Sequence, residues 1–167
     1  VPVVVRVVGP GVAAAGVRRH ARKTWLREAH AENRADAAEQ ERAAGWELLF
    51  DGTTTNGWKG FAKAGFPAAG WTVEHGTLKG LGRKGGDIIT TRAFGDFEFQ
   101  WDWRLSFQGN SGVNLMGLYE IQIFDTYNEK IYPDGMTGSI YGQTPPLVNA
   151  CLPPGEWQTF DIMFTVP

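Results

Sequence analysis

Cysteine is almost missing from this chain: Cys151 stands alone among 167 residues. No disulfide can therefore join two points of it, and cysteine usage leaves the redox compartment open. Histidine is equally sparse, at His20, His30 and His75, without the paired spacing of a structural zinc site. No apolar run approaches the roughly 18 residues of a membrane-spanning helix. Residues 1–17 are apolar but interrupted by Arg6, Gly9, Pro10 and Gly11, and their basic residues follow the apolar part, opposite to the order of a secretory signal. Charge excess is missing too: 16 Lys and Arg face 18 Asp and Glu, a net charge of -2, which gives no reason to expect nucleic acid as a partner. The length suits one domain with a core of its own rather than two.

Between Arg18 and Ala44 there is no glycine or proline, and Ala, Arg and Glu dominate. That composition predicts a helix. Its apolar positions are mostly Ala, with Trp25 and Leu26 the large ones, so it has little to bury. Residues 1–44 read as a helical or partly disordered leader, or as a helix that docks on a partner through Trp25.

From Gly45 the pattern becomes short apolar runs punctuated by turn dipeptides, in a chain with seven Trp and 22 Gly. Trp71-Thr72-Val73-Glu74, His75-Gly76 and Thr77-Leu78-Lys79 read as a hairpin. The clearest alternation is Phe97 to Leu105, where Phe97, Phe99, Trp101, Trp103 and Leu105 face one way and Glu98, Gln100, Asp102 and Arg104 the other. Residues 155–164 repeat it. Several half-buried strands separated by short turns predict an all-β antiparallel sandwich. The glycines of residues 80–86 lack the strand-loop-helix context of a phosphate loop, which excludes nucleotide binding on that motif.

Asn110-Ser111-Gly112-Val113 reads as a Gly-rich bend leading into the strand Tyr119-Glu120-Ile121-Gln122-Ile123-Phe124-Asp125. Period-two geometry sets Glu120 and Gln122 on one face, with Tyr119, Ile121 and Ile123 on the other. A carboxylate beside an amide is a way for a sheet to offer hydrogen bonds to a ligand while the opposite face packs. Asp125 falls at the strand end. Asn110 and Ser111 either cap a turn or bind ligand. If the Phe97 to Leu105 strand is a neighbour, Gln100, Asp102 and Arg104 extend the same polar face; otherwise they are a solvated surface. Trp58, Phe61 and Trp71 offer aromatic planes to a sugar ring or anchor the core. A calcium site from Asp125, Asp134 and backbone oxygens is a further reading, and Asp134-Gly135 most simply makes a turn. Cys151 has no base near it in sequence and reads as a small core residue.

Gly45-Trp46, Leu48-Leu49-Phe50-Asp51-Gly52, Gly57-Trp58, Gly95-Asp96-Phe97-Glu98, Asn110-Ser111-Gly112-Val113, Tyr119-Glu120, Gln122-Ile123, Gly138-Ser139-Ile140-Tyr141-Gly142 and Gly155-Glu156-Trp157-Gln158-Thr159 follow one another in an order that resembles the 3-keto-disaccharide hydrolase family over residues 45–167. The resemblance implies a concanavalin A-like jelly roll, with further strands past Pro167, and a secreted or periplasmic bacterial protein. It also implies an enzyme that cleaves 3-keto-glycosides, or a non-catalytic carbohydrate-binding module on the same fold. On the enzyme reading Glu120, Gln122 and Asp125 carry catalysis, while Gln100, Asp102, Arg104, Asn110 and Trp58 bind the sugar. Direct hydrolysis by Asp102 and Glu120 is the second chemical route. No metal ligand is assigned.

Overall fold

The computed structural model describes residues 2–8, 43, 45–82 and 85–166. Ten strands are named, β1 Pro2–Val8, β2 Trp46–Leu48, β3 Trp58–Gly60, β4 Trp71–Glu74, β5 Thr77–Gly80, β6 Ile88–Thr90, β7 Phe97–Trp103, β8 Asn110–Leu115, β9 Tyr119–Phe124 and β10 Gln158–Phe164. Every pairing between them is antiparallel. One sheet runs β10-β7-β1-β5-β4, with β2 on the same edge of β1 as β5; β3 pairs with β6, and β8 with β9. The fold is the antiparallel β-sandwich that the alternation predicts.

Two local expectations change. Residues 2–8, read as part of a helical or partly disordered leader, form a strand whose backbone pairs with β2, β5 and β7. The five valines of that run favour an extended backbone, which pairs into the open ladders. The helix expected over residues 18–44 lies outside the described residues. Asn110-Ser111-Gly112-Val113 is not a bend but the first part of β8, held in register against β9 from Asn110↔Phe124 to Leu115↔Tyr119. The reversal comes later, where Met116 and Gly117 take φ of 54° and 69° and Leu118 N–H donates to Leu115 C=O at 3.1 Å. Both central residues in the left-handed region are what a tight hairpin needs. The β4–β5 hairpin turns in the same way through His75 and Gly76.

The core forms where the inner faces of the two layers meet. Phe99, Trp101, Trp103 and Leu105 bury against Ile123 and Cys151, with Val113, Ile121, Phe160, Ile162 and Trp58 packed around them. Stacked rings of Phe99 and Trp101, with centroids 4.6 Å apart, and the edge contact of Trp101 with Phe160 at 5.1 Å fix the middle of this layer. Burying each such side chain contributes about 1.5–3 kcal/mol before entropy is counted. Because this cluster takes one face of β7 and one face of β9, their polar faces point outward on opposite sides of the sandwich.

Candidate active site on the outer face of the β8–β9 ladder

β9 is paired on both edges. On one side lies β8; on the other, Tyr141 N–H donates to Glu120 C=O at 2.9 Å, Gln122 N–H to Ser139 C=O at 3.0 Å, and Gly138 N–H to Gln122 C=O at 2.9 Å. The Thr137 hydroxyl completes that edge by bonding both Phe124 N–H and Phe124 C=O. These bonds set out two rows across the outer face. Asn114, Glu120 and Tyr141 make one; Gly112, Gln122 and Ser139 make the next. Asn110 lies one rung further, opposite Phe124. The predicted sharing of one face by Glu120 and Gln122 is what the strand delivers.

The Glu120 side chain leans diagonally across the ladder onto Gly112. A Cβ built on that glycine would lie 2.7 Å from Glu120 Cγ and 2.8 Å from Cδ. Partial burial raises the Glu120 carboxyl above the ordinary value, and the negative charge of Asp87 raises it further. Asp87 precedes β6 on a segment tied down at several points. Phe61 N–H donates to Asp87 C=O at 2.8 Å, the Trp71 indole N–H donates to Gly86 C=O at 2.8 Å, and Gly85 packs so closely on Gly70 that a Cβ there would meet its backbone at 2.8 Å.

Gln122 is 4 % exposed. Its Nε2 donates to Gly135 C=O at 3.2 Å, while Oε1 has no hydrogen-bond donor among the described residues. A buried amide oxygen with an open lone pair is an acceptor waiting for a hydroxyl or N–H.

The other expected site residues lie elsewhere. Asp125 accepts from Gln108 N–H at 2.9 Å and so closes the turn that leads into β8, where Gln108 holds a φ of 53°. Asp102 accepts from the Thr159 hydroxyl at 2.6 Å on the outer face of the β7–β10 pair. Arg104 places its guanidinium 5.0 Å over the Trp157 ring, and Gln100 lies on the Asp102 side of β7. None of these three extends the Glu120 face, because β7 and β9 pack on each other through their apolar sides. The same geometry removes Asp102 and Glu120 as a hydrolytic pair. Trp58 gives its indole N–H to Leu49 C=O at 2.7 Å and packs on the core cluster, so it is an anchor. Asp134 uses its backbone C=O to accept from Gly142 N–H. Among the described residues no group of three or more His, Cys, Asp or Glu gathers to hold a metal.

Sequence reasoning missed Asn114, Tyr141 and Asp87. Asn114 was legible once Asn110 to Leu115 is taken as a strand, since it shares the period of Asn110 and Gly112. Tyr141 lay within a recognised block but without a position. Asp87 follows two glycines, a turn signal that gives no hint of which carboxylate it will face.

The fold and this face define an antiparallel β-sandwich with a carboxyl and a buried amide on neighbouring rungs of one doubly paired strand. Within it, the chain belongs to the family of the 3-keto-alpha-glucoside-1,2-lyase-like domain, whose model matches residues 45–167. A 3-keto-disaccharide hydrolase of Bacteroides thetaiotaomicron is 31% identical, over 72% of this chain and 53% of that protein. Two solved structures from Parabacteroides distasonis, both assigned as glycosyl hydrolases, are also similar. One is 40% identical with a TM-score of 0.63, covering 72% of this chain and 53% of its own. The other is 30% identical with a TM-score of 0.63, covering 76% and 67%. The chain thus spans about half the length of the curated relative it matches.

Proposed function

We infer that this chain carries the acid-base face of an enzyme that cleaves 3-keto-glycosides, with Glu120 as the proton-transfer group. One observation carries the reading: Glu120 stands on the outer face of a strand paired on both edges, with its carboxyl raised by burial and by Asp87. A ketone at C3 of a sugar acidifies the proton on C2. Ionised Glu120 removes that proton, and the C–H electron pair becomes the enolate. When the enolate re-forms the C3 carbonyl, the C1–O bond breaks, a C1–C2 double bond forms, and the leaving oxygen takes up a proton. Water then adds across the double bond. A carboxyl with a raised pKa suits both halves, because it is a stronger base than an ordinary glutamate and returns its proton nearer to neutral pH.

The neighbouring groups fit supporting roles. The enclosed Gln122 amide, bonded to Gly135 C=O, underlies the row over which the Glu120 carboxyl lies, and Asn114 and Tyr141 flank Glu120 in its own row. The family relationship and the carbohydrate-directed names of the relatives support the substrate class. Incubating the full chain with a 3-keto-disaccharide tests the reading: release of the free sugars supports it, and saturable binding without product assigns the chain to the role of a carbohydrate-binding module instead.

A further inference from the structure

We propose that Gly112 is a positioning residue for Glu120: its bare α-carbon is the seat across which the carboxyl side chain lies, and a side chain there sets the carboxyl aside. The inference rests on the reading of Glu120 given above. Gly112 sits within the β8–β9 ladder, opposite Gln122, and its φ is not in the left-handed region. No turn needs it, and glycine inside a strand weakens that strand. What distinguishes the position is its neighbour. A Cβ at Gly112 collides with Cγ, Cδ and Oε1 of Glu120 together, so rotating the tip alone gives no relief and the side chain must swing from its Cβ. The other glycines with comparably close contacts meet Lys63, the Gly70 backbone, or Ser106 and Leu105, as for Gly60, Gly85 and Gly109. Of these four, Gly112 is the one whose space a carboxylate fills.

The diagonal lean has a consequence for chemistry. Glu120 is anchored in the Asn114–Tyr141 row, yet its carboxyl lies over the Gly112–Gln122 row, beside the strand position of the amide with the open acceptor. A methyl at 112 moves the carboxyl off that row. A displacement of about 1 Å at a reacting group costs on the order of 100-fold in rate.

The test is Gly112→Ala in the full chain, read in three ways. Turnover of a 3-keto-disaccharide is expected to fall at least about 10-fold in kcat with little change in KM, and the collision with Glu120 is expected to lower thermal stability. The Glu120 carboxyl, followed by carbon NMR titration, is expected to move down toward the ordinary glutamate value. The charged group that acts on it is Asp87 from the segment before β6, with Tyr141 paired to Glu120 through the backbone on the strand edge beyond β9, and both residues are unchanged by the substitution. In a Glu120→Ala background, Gly112→Ala is expected to be neutral or stabilising, because the group it strikes is gone; this cycle reads stability alone and stands even if the single variant folds poorly. Full kcat with an unmoved titration, or an equal loss of stability in both backgrounds, overturns the proposal. Should Glu120→Gln itself keep full turnover, the functional reading fails, and the titration and the stability cycle still decide on the seat.

Discussion

The two outer faces of the sandwich look alike in sequence and differ in what their polar groups do. On the β7–β10 face, Asp102 and Thr159 satisfy each other and Arg104 covers Trp157, so the polar side chains are spent locally at the surface. On the β8–β9 face, Glu120 is half sheltered with its proton held more tightly than usual, and Gln122 is buried with an acceptor left open. Alternation marks a face. A site is marked by what breaks the pattern: a glycine where a side chain belongs, and polar groups taken from water without a full set of partners.

The largest expected effect sets the two faces directly against each other. Glu120→Gln should lower turnover of a 3-keto-disaccharide by about 100- to 10,000-fold, the range for removing a positioned acid-base group. Asp102→Asn should stay within about twofold, as for other surface changes. Steady-state kinetics of the pair checks this, and a greater loss for Asp102→Asn would reverse the assignment of faces. Ile123→Ala acts beneath both faces, emptying a position that is fully buried. It should cost about 2–5 kcal/mol in urea unfolding, while kcat per folded molecule stays close to that of the parent. Thr159→Val, which removes the hydroxyl donor to exposed Asp102, should cost no more than about 1 kcal/mol by the same measurement.

The smallest effect concerns pH. Because the folded state raises Glu120, it keeps that proton to higher pH than the unfolded chain does. The stability this contributes is full below the ordinary value of 4.5 and is lost as pH rises through the raised value. Glu120→Gln removes this dependence, so Tm of the variant should overtake that of the parent as pH rises from 4.5 toward neutral. A scan of Tm against pH for both proteins would show the crossing, and a constant offset would mean that Glu120 titrates no differently when folded.

The strands themselves were largely legible in the sequence. Phe97 to Leu105 and the Glu74-His75-Gly76-Thr77 hairpin declare themselves through period and turn residues, because strand geometry is local. The face of Glu120 and Gln122 was legible for the same reason. The error at Asn110 to Val113 has a specific cause: a glycine between polar residues reads as a bend when its missing side chain is in fact replaced by one from the next strand. The placement of Asp102, Arg104 and Asp87 was not legible at all. Which strand pairs with which, and which way an outer face points, follow from packing between layers that are distant in sequence. The Trp58 indole likewise finds Leu49 C=O only once the layers close.

The double pairing of β9 has a kinetic counterpart. The Gln122 amide, held by Ser139 C=O at an almost fully buried position, belongs to the part of the chain that releases hydrogen to solvent only on wide opening, whereas the segment carrying Asp87 lies outside that ladder, tied to Phe61, Trp71 and Gly70. Glu120 is thus mounted on a doubly paired strand and opposed by a rim outside that ladder. Deuterium uptake across residues 120–122 should be slow accordingly.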